Sequence, residues 1–211
     1  MKPFKLCLCC VFPVAIAAYV AVGSAAEPLA GAAAKLKMEA ARDEVANLRS
    51  NIFLTLLQLD RVRGERDPAH PQFQVFTNQL ARMEELAAAF GQHAQEMKQN
   101  GEAYFADWET RTAAIPDPAV RKRAEQRYGE RKECYEAIKE FMQDAKANFL
   151  PFVADLKRIK TVLETGWDKN SVATAKRLFM SANWRCIDTQ RALLNIEDQL
   201  DRLAASFASD E

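Results

Sequence analysis

The residue types that most often carry chemistry are scarce here. Only two histidines, His70 and His93, occur in the 211 residues, and neither follows a glutamate by three positions, so the Glu-x-x-His pairs that build metal centres inside helical bundles are missing. His93 and Glu96 stand one helical turn apart and could share an ion, but an exposed pair on one helix face explains them, and that is the reading adopted. No Ser-His-Asp or Cys-His set, phosphate-binding loop or Gly-rich nucleotide signature is present. The sequence therefore supplies no catalytic residue, no metal ligand set and no cofactor site. Three polar residues in core phase, Arg131, Cys186 and Thr189, are the only candidates for a desolvated small-molecule or metal site.

Two other groups bear on binding. Arg121, Lys122, Arg123 and Arg127, continued by Arg131 and Lys132 and opposed only by Glu125 and Glu130, form the densest run of positive charge. They could contact anionic lipid headgroups at a membrane surface; the plainer expectation is a solvated helix face paired internally, for example Arg121 with Glu125 at i,i+4. The run from Ile52 to Leu59 is apolar around most of a helix, more than one partner seam can cover. Phe53, Leu54, Leu56 and Leu57 either sit at a bundle centre or contact a second protein, which includes self-association through this helix. Tyr104, Phe105, Trp108, Tyr128 and Tyr135 could line a pocket, but seam spacing makes them core packing.

The elements that must position these residues are read from apolar periodicity. One stripe runs Met38, Ala41, Val45, Leu48, Ile52, Thr55, Leu59, Val62. A second runs Phe73, Phe76, Leu80, Met83, Ala87, Phe90, Ala94, Met97, Gly101, Tyr104, Trp108. The third is Tyr128, Arg131, Tyr135, Ile138, Met142, Ala145, Phe149, Phe152, Leu156, Ile159, Leu163, and the last runs from Val172 and Ala175 through Phe179, Ala182, Cys186, Thr189, Leu193, Ile196, Leu200 and Leu203 to Phe207. Each alternates spacings of three and four, a heptad signal. Gly64, the Asp67-Pro68 and His70-Pro71 pairs, Asp117-Pro118 and Gly166 separate them, with Asp117 placed as N-cap and Pro118 as first helical residue. Pro151 falls inside the third stripe without shifting its phase, which predicts a kink rather than a boundary.

The expectation is an all-α protein: helices over about 31–63, 72–112, 118–165 and 170–208 in one domain spanning 27–211. Short connectors make it an elongated up-down antiparallel four-helix bundle, or staggered coiled-coil-like hairpins, and periodicity does not choose between them. In that antiparallel register Cys134 and Cys186 are offset by 16 residues about the turn near residue 168, or ~24 Å. A disulfide needs Cα atoms within roughly 7 Å, so the two thiols are expected to stay apart.

Residues 1–26 read as a secretory signal: Lys2 and Lys5 precede an apolar run from Leu6 to Gly23, then Ser24, Ala25, Ala26. The cut is placed after Ala26, with Ala25 the near alternative and an uncleaved membrane anchor the other. Lipidation at Cys9 would follow only Leu6 to Leu8, too short an apolar region for export. Removing the signal leaves 27 bases against 29 acids, a balance that argues against nucleic acid as a partner.

The segment from Gly101 through Tyr104-Phe105-Ala106-Asp107-Trp108-Glu109, then Ile115-Pro116-Asp117-Pro118, Arg121, Arg123, and Phe149-Leu150-Pro151-Phe152 with Asp155-Leu156, resembles the bacterial secreted helical family catalogued as domain of unknown function 2959. The resemblance covers roughly residues 35–207 and is densest from 101 to 163. It implies an exported, coiled-coil-like helical protein of the periplasm or cell envelope with no assigned activity. The connector Glu164-Thr165-Gly166-Trp167-Asp168 departs from the Leu-rich turn such a family leads one to expect. Together these readings give a non-catalytic scaffold or adaptor of the cell envelope, with an envelope protein or a second copy as partner. A ligand-binding bundle and a peripheral lipid binder are the alternatives.

Overall fold

The computed structural model describes residues 27–62, 71–166 and 169–208. The segment read as a signal, the connector holding His70 and the pair Trp167-Asp168 lie outside the described residues. Four helices follow in order: α1 (Glu27–Val62), α2 (Pro71–Ala113), α3 (Pro118–Thr165) and α4 (Lys169–Ala208), with no strand among the described residues. The α2–α3 turn forms as its sequence dictates. Asp117 Oδ1 accepts from the amides of Ala119 at 2.7 Å and Val120 at 3.2 Å, satisfying two donors that the first turn of α3 cannot pair internally, while Pro118 sits where no donor is needed. Helix α3 continues through Pro151 as a single element of 48 residues.

Backbone packing follows the ring α1–α2–α3–α4–α1, and no diagonal pair comes close among the described residues. This is the closed up-down-up-down bundle. Contact is most extensive between α3 and α4 and least extensive between α2 and α3. Polar pairs set the register. Arg49 meets Glu197 at 2.7 Å and accepts from Gln190 on its carbonyl at 2.8 Å, Arg42 meets Asp201 at 3.2 Å, and Ser181 donates to Asp155 at 2.7 Å. Continuing α1 from Arg49 to its end at Val62 brings it level with about Trp184, so α4 runs on past α1 by roughly four turns. The bundle is thus both closed and staggered.

One connected core fills the interior. Val45, Ile52, Phe76, Met83, Phe152, Leu156 and Ile196 are each no more than 1% exposed, and a side chain of this size contributes about 1.5–3 kcal/mol on burial. The four seams supply most of it, joined by Val153 and Ala192 from beside them, and the clearest departure lies in α2. There Phe105 is buried while Tyr104 and Trp108, the expected seam residues, are only half-buried.

Candidate functional site

Most polar groups that reach the interior are already engaged, the buried Thr112 hydroxyl being an exception. Arg131, on the α3 seam and 5% exposed, donates through one terminal nitrogen to the Ser206 carbonyl at 2.7 Å, through Nε to Ser206 Oγ at 3.2 Å, and more distantly to Tyr104 Oη at 3.4 Å. Its planar cation lies 4.2 Å from the Phe207 ring centre and 5.0 Å from that of Trp108, a stacking arrangement that arginine favours. Around it Tyr104, Phe105, Trp108, Tyr128 and Tyr135 pack edge-to-face or tilted at 5.1–6.0 Å. The aromatic group is therefore a cage filled by the protein's own arginine.

The remaining interior groups behave alike. Thr189 and Thr55 return their hydroxyls to the carbonyls four residues back, of Arg185 and Asn51. Asn51 bridges α1 to α2 by accepting from Gln79 at 3.0 Å while donating to Asn47. Asp155, which the seams did not flag, joins α3 to α4 by accepting from Ser181 and by pairing with the Arg185 guanidinium at 3.3 Å. Cys186 is buried, and desolvation pushes its thiol up to about 11; Cys134, half-buried, is raised for the same reason and lies beside Arg202 and Asp198 of α4. Both cysteines are free. His93 Nδ1 meets Glu44 of α1 at 2.8 Å rather than Glu96, and no metal-holding cluster occurs among the described residues.

The basic run divides. Arg121 does not pair with Glu125 as expected. Its Nε and a terminal nitrogen both donate to the Ile115 carbonyl, at 2.9 and 2.6 Å, because the turn leaves that oxygen without a helical donor within reach of the first turn of α3. Lys122, Arg123 and Arg127 stay exposed on the same end of the bundle. A second basic region borders an open groove of about 490 Å³ between α3 and α4, lined by Lys157, Arg158, Thr161, Thr174 and Arg177. Lys157 also reaches Glu84 of α2 at 2.5 Å.

The apolar run of α1 splits between inside and outside. Ile52, Thr55 and Leu59 are buried, Leu56 and Leu57 half-buried with Leu56 against the core, and Phe53 and Leu54 are 58% and 38% exposed. An equally large outer feature lies on α4, where Met180, Trp184, Ile187 and Leu194 stand exposed. With Arg191 between the last two, they repeat the spacing four-three-four-three. That second stripe, parallel to the buried one, is a signal in the sequence that attention to the core seam alone passes over. Among the described residues no helix is long and apolar enough to cross a membrane.

Core, capping contacts and surface define an up-down-up-down four-helix bundle whose interior polar residues tie helices together. Comparison of the chain with protein-family models, curated proteins and solved structures gives no match.

Proposed function

We propose that this chain is a non-catalytic scaffold or adaptor of the cell envelope, exported by its N-terminal segment and acting through its outer faces. One observation carries the reading: polar groups that could have formed a ligand site in the interior spend their hydrogen bonds within the fold, Arg131 and Asp155 on α4 and Thr189 on its own helix, while large apolar side chains of α1 and α4 face outward. Exposed apolar side chains in such a contiguous array are a mark of interaction surfaces. The resemblance to the secreted helical family supports the same location and the absence of an assigned chemistry.

The test places a photo-crosslinking residue at Phe53, Trp184 or, as an interior control, Ile196, in cells expressing the whole chain. Adducts with envelope components at the first two positions and none at the third are expected, together with a processed N-terminus at Glu27. A chain that keeps Met1 and stays in the cytoplasm overturns the envelope assignment. A peripheral lipid contact through Lys122, Arg123 and Arg127 is the second reading, favoured by their exposure at one end of the bundle. Sedimentation with anionic vesicles that survives reversal of all three charges eliminates it.

A further inference from the structure

The outer stripe of α4 is built to pair with itself. Its members Met180, Trp184, Ile187, Arg191 and Leu194 follow heptad spacing, which holds one line on a helix facing a partner. The apolar four are 57%, 66%, 40% and 47% exposed in the order Met180, Trp184, Ile187, Leu194. The flanking charges are arranged unequally. Lys176 and Arg177 precede the stripe by one turn, and Glu197 and Asp198 follow it by one turn, with all but the half-buried Glu197 exposed. Reversing the stripe about Ile187 lays Met180 on Leu194 and Lys176 on Asp198, and brings Arg191 against the indole of Trp184.

We propose that two copies of this chain associate through α4 in antiparallel register about a two-fold axis at Ile187. In that arrangement each end joins Lys176 of one copy to Asp198 of the other, and each Arg191 lies over the Trp184 face of its mate, a favourable cation–π geometry. Parallel pairing would instead stack Lys176 on Lys176 and Asp198 on Asp198, which is repulsive, so charge selects one orientation. Closed two-fold pairing is also the form that a self-complementary face produces.

The size suits a reversible dimer. From Lys176 to Asp198 the stripe is ~34 Å long, and α1 widens the face, because Phe53 stands one turn beyond Arg49, whose carbonyl accepts from Gln190. A strip about two helices wide then covers on the order of 1,200 Å² in total, at the lower edge of specific interfaces. The pairing rests on the same outer face as the scaffold role, but a monomeric chain that still gives envelope adducts would overturn the pairing alone.

Sedimentation equilibrium of the purified whole chain over about 1 to 100 μM tests it. A dimer is expected, weakened at least tenfold by Trp184→Ala with Ile187→Arg at unchanged helicity. Lys176→Glu and Asp198→Lys should each weaken it several-fold, and the two together should restore it, since each swapped charge again meets its opposite across the axis. A monomer throughout the range, whether its face is open or covered by its own N-terminal segment, overturns the proposal. So does a dimer indifferent to the stripe variant, or a double charge swap as weak as the single ones.

Discussion

The Arg131 guanidinium closes the end of α4 by donating to the Ser206 carbonyl at 2.7 Å, two residues before that helix stops at Ala208. A helix leaves its last carbonyls without internal donors, and here a residue on a neighbouring helix, 75 positions away in sequence, satisfies one of them. Arg131→Ala should cost about 2–4 kcal/mol in urea unfolding, because it strips a charged donor from a partly buried oxygen and empties the aromatic cage. Hydrogen exchange should rise in the last turn of α4 first. Arg131→Lys should recover only part of the loss, since an ammonium has no planar fork to lie between Phe207 and Trp108.

Glycine positions in α2 and α3 give opposite outcomes for one substitution. At Gly91 and Gly129 an added Cβ meets nothing within 4 Å, so alanine there should stabilise by about 0.5–1 kcal/mol through helix propensity. At Gly101 the same atom would strike the Tyr135 ring edge, whose hydroxyl donates to the Lys98 carbonyl at 2.7 Å. Gly101→Ala should therefore lower the melting temperature despite alanine's propensity, as overpacking outweighs it by about 1–2 kcal/mol. Thermal melts of the three variants side by side decide the sign.

Where the sequence succeeded and where it failed both follow from helix geometry. A three-four repeat marks buried faces well over a few turns, and Val45, Leu48, Ile52, Phe73, Phe76 and Leu80 are buried where it puts them. A straight α-helix drifts about 20° per heptad against that repeat. Five heptads separate Phe73 from Trp108, so the drift approaches 100°, one residue's rotation, and the core contact passes from the expected Tyr104 to its neighbour Phe105. Asn51 and Asp155 were illegible for another reason: each is buried through a partner on a different helix, Gln79 or Ser181, and periodicity within one helix contains no such information. Arg121 shows the same limit, since its acceptor belongs to a turn rather than to its own helix face.

That acceptor separates a structural arginine from its neighbours. Arg121→Ala should destabilise the bundle by about 1–2 kcal/mol by freeing the Ile115 carbonyl from its two donors. Lys122→Ala and Arg123→Ala lie on exposed positions and should each stay within about 0.5 kcal/mol. Urea midpoints measure both classes. Any vesicle-binding experiment on this end of the molecule should leave Arg121 in place, so that loss of binding is not loss of fold.

Cys186 gives the chain an alkaline weakness with a defined sign. Its side chain is 3% exposed, and burial raises the thiol from 9.0 to about 11. Below pH 9 both folded and unfolded chains hold the proton, and the group adds no pH dependence. Between 9 and 11 the unfolded chain releases it first, so the folded state binds more protons and stability falls as pH rises. The loss attributable to this residue should reach on the order of 2 kcal/mol by pH ~10.5. Cys186→Ala should be less stable than the parent at pH 8 by roughly 1 kcal/mol for the lost sulfur packing. It lacks the titrating group, however, so the gap should close and then reverse as pH climbs. Guanidinium unfolding of the two proteins under reducing conditions from pH 8 to 10.5 follows that crossing. A constant gap would mean that the thiol ionises in the fold as readily as in the unfolded chain.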